Sequence, residues 1–392
     1  ACRMTGGLPE PVHSRYKRRP PMSTSWPLPP ARGVIAVPTV VSPPAKLPSS
    51  SYLATGKFPI IDQSQDAICG WTDDAQAVIE QPLPLIVFGD HTCALKFVER
   101  PFAQGADGIK ILAAKPTVSI EYLFHSLNHR PLVMEDYKRH FSTLKERRVF
   151  FPEVKSGEQQ KIADCLTSLD EVIAAQGRKV EALKAHKRGL MQQLFPREGE
   201  TRPRLRFPEF RDAPEWTQKA LNRICEMQAG RFVSASAIAE KRGEGMYPCY
   251  GGNGMRGYTT TFTHSGLYPL IGRQGALCGN VQLARGDFHA TEHALVASPR
   301  PGVDVDWLFY TLDLLNLNRF ATGQAQPGLS VDVLYKVECA VPASEKEQRR
   351  IADCISSLDT RITAESNQLA ALKTHKQGLM QQLFPAPEAA GA

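Results

Sequence analysis

Two histidines four residues apart, His289 and His293 in the segment HATEH, are the side chains whose type and spacing could share a metal ion on a helix. The surrounding letters DFHATEHALVAS resemble a strand more than a helix, and no Cys or His third ligand follows at a usual spacing. His125 and His129 form a second pair of the same kind. We therefore expect structural roles for all four histidines, no metal site and no cofactor.

Motifs for phosphate binding and methyl transfer are also missing from the sequence. GKF at 56–58 lacks the upstream glycine and the Ser/Thr of a GxxxxGK[ST] phosphate loop. SPPA at 42–45 belongs to a proline-rich segment and is not the Asn-Pro-Pro-aromatic tetrad of amino-methyltransferases. The sequence therefore shows no recognisable motif for ATP-driven chemistry or for amino-methyl transfer.

The bulk composition is that of an ordinary globular protein with two or three domains. The chain has 392 residues, of which 42% are hydrophobic and 22% charged, and no apolar run approaches a membrane span. Nine cysteines without a CxxC pair are typical of reduced thiols, which predicts a cytoplasmic protein. The net charge is +7, but residues 1–50 alone contribute seven Lys/Arg against one acidic residue. Net charge is therefore weak evidence for nucleic-acid binding.

The strongest signal is an internal duplication. The stretches 158–196 and 347–385 match at 24 of 39 positions without a gap, and both end in GLMQQLFP. Two copies are too few for a solenoid and indicate pseudo-twofold symmetry within one chain. Fainter echoes link the regions before each copy, such as LPLIVFGD (83–90) with YPLIGRQG (268–275).

The chain is predicted to be α+β, with each of two mixed α/β domains followed by a long helix. Glycine-rich turns between short apolar runs indicate short strands in the mixed domains. The expected order is an irregular or disordered segment (1–50), the first mixed domain (51–155), the first helix (156–196), a linker with the second mixed domain (197–342), the second helix (343–385) and a tail (386–392).

Both long helices carry coiled-coil features. Ser156 with Gln159, and Ser344 with Glu347, predict capping boxes at their starts. Apolar residues at alternating spacings of four and three form a heptad seam, and about 36 residues at ~1.5 Å each give a rod of roughly 54 Å. We expect antiparallel pairing; the alternative is two amphipathic helices that pack separately on their own domains.

Polar breaks in the seam predict the register of the pair. With the rods aligned centre to centre, Gln176 faces Glu365, and Lys187 lies beside Asp353. By the same alignment Lys376 lies beside Asp164. Tolerated polar seam residues without partners are the alternative interpretation.

Four apolar side chains lie just off the seam, in the GLMQQLF ends of the helices. A two-stranded coiled coil does not bury them, so either the mixed domains cover them or a partner protein binds there. From the sequence, both interpretations stay open for Met191, Phe195, Met380 and Phe384.

The doubled motif EQ-x-x-IADC-x-x-SLD…HK-x-GLMQQLFP resembles the specificity subunit of type I restriction–modification systems. RFPEFRDAPEW (206–216), YPCYGGNGMRGY (247–258), FGDHTCALK (88–96) and ATGQAQPGLS (321–330) are also similar to target-recognition-domain segments of that family. The resemblance implies two target-recognition domains that read a bipartite double-stranded DNA site. It also implies a non-catalytic subunit that positions two methyltransferase subunits and the restriction/translocase subunits. No interaction with a membrane is expected.

If the mixed domains read DNA, polar and basic side chains on their glycine-rich turns are the candidates. Arg and Lys can bond guanine edges, Asn and Gln can bond adenine edges, and phosphates accept from any donor. Each one alone is more often a solvated loop residue. The candidates are Gln63, Gln65, His91, Lys96 and Lys110 in the first domain, and Asn253, Arg256, Arg273, Gln274, Gln324 and Gln326 in the second.

One departure from the family pattern concerns the N-terminus. RFPEFRDAPEW should have a counterpart near residues 16–27, where only Trp26 aligns, with Trp216. We expect residues 1–21 to be unfolded and dispensable, with Met22 as a candidate natural start.

Two other functions compete with DNA recognition. A coiled-coil scaffold would organise partners without reading DNA, and a standalone nuclease or methylase would need a cofactor motif that the sequence lacks. The mixed domains differ in their loops while the helices stay alike, which favours two readers of different half-sites.

Overall fold

The computed structural model describes residues 39–41, 46–106, 108–136, 138–147, 149–275, 277–323 and 327–384. The chain divides into two compact units: unit 1 comprises Ala1–Ile173 and Ala371–Ala392, and unit 2 comprises Ala174–Ala370. Each unit therefore holds one mixed α/β region together with a section of both long helices.

Unit 1 contains two four-stranded sheets in its described residues. One sheet has the antiparallel order β1-β8-β5-β6, and the other has the order β3-β2-β7-β4, in which β2 and β7 are parallel. Strand β5 is buried along its whole length, as expected for a continuous apolar run. The strands are β1 (Thr39–Val40), β2 (Phe58–Ile61), β3 (Gly70–Thr72), β4 (Val78–Ile79), β5 (Leu85–Gly89), β6 (Leu95–Val98), β7 (Phe102–Gln104) and β8 (Ile109–Ala113).

The structured part of unit 1 begins earlier than residue 51. Strand β1 pairs with β8, and the Val41 amide donates to the Ile111 carbonyl at 3.0 Å. Lys46 forms a parallel bridge with Gln104. Residues 39–41 and 46–50 are thus part of the unit, since a proline-rich segment can still form an edge strand. Residues 1–38, including the segment expected to be dispensable, lie outside the described residues.

Unit 2 contains a six-stranded sheet and a two-stranded ribbon. The larger sheet has the order β10-β15-β13-β14-β11-β12, in which only the β11–β14 pairing is parallel, and β16 pairs with β9. The strands are β9 (Thr217–Ala220), β10 (Cys225–Ala229), β11 (Tyr247–Gly251), β12 (Gly254–Thr259), β13 (His264–Gly272), β14 (Val281–Ala290), β15 (Ala294–Pro299) and β16 (Glu338–Val341).

The helices repeat from unit 1 to unit 2. The first helix of each mixed region has ten residues and a side-chain cap: Ser119 accepts from the Tyr122 amide, and Asp304 accepts from the Trp307 amide. Within the described residues, no helix offers an apolar stretch that could cross a bilayer. The helices are α1 (Ile120–His129), α2 (Phe141–Lys145), α3 (Glu158–Leu194), α4 (Val305–Leu314), α5 (Val331–Leu334) and α6 (Glu345–Leu383).

The starts of α3 and α6 are held by a buried glutamine rather than by a full capping box. Gln159 accepts from the Ser119 amide at 2.7 Å and donates to the carbonyls of Thr117 and Pro152. The predicted reciprocal bond to Ser156 is absent, because the Gln159 amide is used inside the domain; the Ser156 hydroxyl accepts from the Glu158 amide instead.

Unit 2 repeats this arrangement at α6. Gln348 accepts from the Asp304 amide at 2.8 Å and donates to the carbonyls of Gly302 and Pro342. Glu347, predicted to complete the capping box with Ser344, instead bonds Arg206. Ser344, directly before α6, accepts from the Lys346 amide, whereas Ser156 lies in the turn that precedes Gly157 and α3. Neither serine therefore forms the predicted capping box.

The two long helices pair antiparallel, as predicted. In unit 2, Gln176 Nε2 donates to Glu365 Oε2 at 2.7 Å and to its carbonyl at 2.9 Å, so the expected central pair is confirmed. Lys179 also contacts Glu365, at 2.6 Å. In unit 1, Met380 and Phe384 of α6 share a buried cluster with Ile162 and Leu166 of α3, which is again the antiparallel arrangement.

The two predicted lysine partners are wrong by about six residues. Lys187 Nζ bonds Asp359 at 2.6 Å rather than Asp353, and Lys376 bonds Asp170 rather than Asp164. Helical side chains tilt toward their own N-terminus. In an antiparallel pair, Lys187 and Asp359 therefore lean toward each other, and the ion pair forms away from the directly facing positions.

The side chains of the GLMQQLF ends are covered by their own units. Met191 and Phe195 are buried in the main core of unit 2, where Phe195 contacts both Trp216 and Trp307. Met380 and Phe384 are buried in unit 1, with Phe384 against Tyr122. The structure thus supports the interpretation that the mixed domains cover these four side chains, and not that they form a free partner-binding surface.

Candidate nucleic-acid interface

Three turns of unit 2 meet at one end of its large sheet. Arg273 N donates to the His293 carbonyl at 2.8 Å, and a Cβ on Gly252 would lie 3.0 Å from the Gln274 carbonyl. The Thr291 amide donates to the Tyr250 carbonyl at 2.8 Å. We call residues 251–254, 272–275 and 291–293 the turn cluster of unit 2. Glycine at 252 lets the backbones approach this closely.

The β11–β12 hairpin aims two neighbouring side chains outward. Its register shifts between Cys249 and Tyr250, and Met255 and Arg256 are both exposed although they are consecutive strand residues. A bulge of this kind re-aims side chains. The turn residue Asn253 is exposed as well. The hairpin thus exposes an amide and a guanidinium, which are the groups that bond adenine and guanine edges.

The second turn adds Arg273 and Gln274. The Arg273 backbone bonds the His293 carbonyl and the Leu329 amide, while its side chain is half-buried and that of Gln274 is exposed. Gln274 also pairs with Gly328 in an isolated bridge. The structure therefore brings together the four predicted residues Asn253, Arg256, Arg273 and Gln274. Gln324 and Gln326 lie outside the described residues.

Unit 1 contains an equivalent arrangement of turns with different side chains. The Asp90 amide donates to the Gly108 carbonyl at 2.6 Å, and the Asp90 carbonyl accepts from the His140 amide at 2.8 Å. These bonds correspond to those of Arg273 with His293 and Leu329. At the position of Arg273, however, unit 1 has Asp90, which is buried and accepts from the Phe141 amide through its carboxylate.

The predicted residues of unit 1 are only partly available to a ligand. Gln65 is exposed, and His91 Nδ1 lies 3.2 Å from the Lys138 carbonyl. Gln63 stabilises the turn that follows β5, because its carbonyl accepts from the Thr92 hydroxyl at 2.6 Å. Its Oε1 atom is buried and lacks a hydrogen-bond partner in the described structure.

The two predicted lysines of unit 1 differ in availability. Lys96 is 9% exposed and bonds the Asp62 carbonyl at 2.8 Å, so it holds the fold together and does not face a ligand. Burial lowers the pKa of Lys96, and the nearby Asp62 carboxylate partly opposes this effect. Lys110 lies over the Phe141 ring at 5.5 Å and remains half-exposed. Sequence position alone did not separate the two lysines, because both lie on short strands.

The histidine pairs have structural roles in this fold. His289, the last residue but one of β14, is buried between the Thr261 hydroxyl and the Arg231 carbonyl, both at 3.0 Å, while His293 lies in the following turn. His129 stacks on Phe384 at 5.2 Å. No group of three or more potential metal ligands occurs in the part of the chain that the structure describes.

Buried His125 is expected to make unit 1 sensitive to acid. Burial, reinforced by Lys376 and opposed by Asp170, lowers the pKa of His125 to about 4. An unfolded histidine titrates near 6.5, so stability is fully present above that pH and is lost as the pH falls toward 4. The loss should reach roughly 3 kcal/mol, at about 1.4 kcal/mol per pKa unit.

The substitution His125→Tyr provides the measurement. Tyr310 is the counterpart of His125 in unit 2, where its hydroxyl donates to Asp359. Urea unfolding at pH 7 and pH 4.5 should show a smaller difference for His125→Tyr than for the parent chain. The same pH dependence in both chains would contradict this assignment.

Two further residues beside the turn cluster were not predicted from the sequence. Arg231 and Phe232 follow β10, and both are exposed. The only sequence signal was a glycine followed by a cation and an aromatic residue after a strand. That pattern is too common to identify a site without the neighbouring turns.

Comparisons with known proteins agree with this architecture. Residues 214–374 match the family described as type I restriction modification DNA specificity domain. The chain is 45% identical over 164 residues to the type I restriction enzyme EcoprrI specificity subunit of Escherichia coli, which is 42% of this chain and 40% of that subunit. It is 21% identical over 295 residues to the MjaVIII specificity subunit of Methanocaldococcus jannaschii, or 67% of this chain and 69% of that one.

A solved structure shows the same fold. The S subunit of the type I restriction–modification system from M. genitalium matches with a TM-score of 0.69 and 16% identity, over 91% of this chain and 96% of that one. The fold is thus that of a restriction–modification S subunit. In sequence, the chain is similar to type I restriction–modification specificity subunits over part of its length. The match to the E. coli subunit spans less than half of that subunit's length.

Proposed function

We propose that this chain is the DNA-recognition subunit of a cytoplasmic type I restriction–modification complex. Unit 1 reads one half of a bipartite duplex site and unit 2 reads the other half. The paired helices set the number of unread base pairs between the halves. Two methyltransferase subunits and restriction/translocase subunits bind the chain and supply the catalysis, which the chain itself does not perform.

The observation that carries the proposal is a repeated scaffold with diverged turns. Gln159 and Gln348 make the same three kinds of hydrogen bond in the two units. The equivalent turn position, in contrast, is a buried acid at Asp90 and a half-buried cation at Arg273. Two domains that recognise different half-sites need this combination, because the same fold must present different contact groups to the DNA.

The chemistry of the unit 2 turn cluster fits duplex DNA. Arg256 and Arg273 can each bond a guanine edge in bidentate fashion, and the amides of Asn253 and Gln274 can bond adenine in the same way. A scaffold without DNA recognition would have no need for these groups at one end of a sheet.

Methylation mapping tests the proposal. The chain is co-expressed with its methyltransferase partner in a host without adenine methylation, and methylated adenines are mapped by sequencing. We expect one bipartite motif with a fixed gap, and none when the chain is omitted. A complex that assembles yet methylates no defined motif would support the scaffold alternative instead.

A further inference from the structure

We infer that residues 230–233, which follow β10 and which we call the strap, form an additional DNA-contacting element of unit 2. Phe232 supplies an apolar contact to a base of the second half-site, and Arg231 supplies a cationic contact. This inference rests on the proposed function of the turn cluster.

The strap is fixed to the sheet at close range. Gly230 N donates to the Ala294 carbonyl at 3.0 Å, and Arg231 N donates to the Ala290 carbonyl at 2.8 Å. A Cβ on Gly230 would lie 2.1 Å from the Ala290 carbonyl oxygen, so only glycine fits at this position. Phe232 therefore projects from a backbone that is already ordered, and binding does not carry the entropy cost of ordering it.

A buried histidine stabilises the strap through a hydrogen bond to its backbone. His289 Nε2 lies 3.0 Å from the Arg231 carbonyl, and its Nδ1 lies 3.0 Å from the Thr261 hydroxyl. A carbonyl only accepts, so Nε2 donates the hydrogen bond to Arg231. His289 is thus a positioning residue for the strap.

The strap lies next to the turn cluster. Ala290 and Ala294, which bond the strap, flank the turn at 291–293. That turn bonds Tyr250, which directly precedes the turn at 251–254, and Arg273, which lies in the turn at 272–275. The strap and the predicted DNA contacts therefore extend from one connected end of the sheet.

The exposed side chains of this loop suit a nucleic acid. Phe232 is 76% exposed. A single exposed apolar residue is ordinary on protein surfaces. Phe232, however, directly follows two residues whose backbone amides are hydrogen-bonded to the sheet, and it lies beside Arg231. Lys241 and Arg242, farther along the same loop, are exposed as well. Aromatic rings stack on bases and contact thymine methyl groups, and the cations attract the phosphates.

The test uses the assembled complex with its methyltransferase and a labelled duplex that contains the mapped motif. Phe232→Ala should weaken binding about 5- to 100-fold, while Phe232→Tyr should keep most of the affinity. Leu205→Ala is the matched control, because Leu205 is a 40% exposed apolar residue of unit 2 outside the strap and the turn cluster. Equal affinities for Phe232→Ala, Leu205→Ala and the parent would overturn the inference.

Two further variants separate contact from positioning. Arg231→Gln should reduce the slope of log affinity against log salt by about one if Arg231 contacts a phosphate. His289→Ala should relax the same base position of the methylated motif as Phe232→Ala, and His289→Gln, which can still donate to the Arg231 carbonyl, should restore it. A general loss of stability would lower methylation without changing the motif, which would count against the positioning role.

Failure of the inference can be distinguished from failure of the proposed function. If the parent complex defines no motif, the DNA-recognition proposal is wrong irrespective of the strap. If the parent defines a motif and Phe232→Ala leaves both motif and affinity unchanged, only the strap assignment is wrong.

Discussion

Replacing Glu347 with alanine is expected to lower the free energy of unfolding of unit 2 by about 3–5 kcal/mol. The Glu347 side chain is 1% exposed and accepts from Arg206 at 2.7 and 2.8 Å and from Trp216 Nε1 at 3.2 Å. Without the carboxylate, a nearly buried guanidinium loses its counter-ion and a buried indole N–H loses its acceptor. Removing one partner of a buried pair is costly, because the other charge stays desolvated.

Glu345→Ala is the matched control, two residues earlier on the same helix. Glu345 pairs with Arg349 at 2.9 Å, but both side chains are exposed, so the decrease should be about 0–1 kcal/mol. Urea unfolding followed by tryptophan fluorescence measures both variants, since Trp216 and Trp307 are buried in unit 2. Decreases of similar size would show that the Arg206–Glu347 pair does not hold the linker on α6.

The double variant Arg256→Ala, Arg273→Ala is expected to weaken recognition of the second half-site by about 1–3 kcal/mol for each bidentate arginine–guanine pair that is removed. Arg256 lies on β12 next to the turn cluster of unit 2 and is exposed, and Arg273 lies in the cluster and is half-buried. The turns of unit 1 are unchanged in this variant, so the first half-site should be read as before.

A charge-matched variant controls for electrostatics. Lys219→Ala with Arg223→Ala also removes two positive charges from unit 2, on β9 and on the turn after it, where both side chains are exposed. Loss of charge alone weakens binding to all sequences alike. This control should therefore reduce affinity slightly and leave the motif intact, as measured by competition between duplexes altered in one half-site or the other.

The duplication made the helices and their pairing predictable from the sequence. The helices were expected at 156–196 and 343–385, and the structure has Glu158–Leu194 and Glu345–Leu383. Gln176 was expected opposite Glu365 because both interrupt the same heptad seam, and they bond at 2.7 Å. A strong period fixes both the length and the facing residues of such helices.

Side-chain direction and burial limited the remaining predictions. Lys187 reaches Asp359 because both side chains tilt along their helices, an effect that a facing-residue alignment ignores. Lys96 resembled a surface cation in the sequence, whereas the fold places it against Asp62. Phe232 gave no signal by itself, because its surroundings come from β14 and β15, about fifty residues or more later in the chain. Such neighbourhoods arise from long-range packing, which a local pattern does not encode.

Mapping methylated adenines for the double arginine variant tests the central claim most directly, namely that each unit reads its own half-site. The parent chain, the Arg256→Ala, Arg273→Ala variant and the Lys219→Ala, Arg223→Ala control are each expressed with the methyltransferase partner. We expect the arginine variant to relax or lose specificity in one half of the motif only, while the other half and the gap stay as in the parent. A variant motif that is unchanged, or one that changes in both halves, would contradict it.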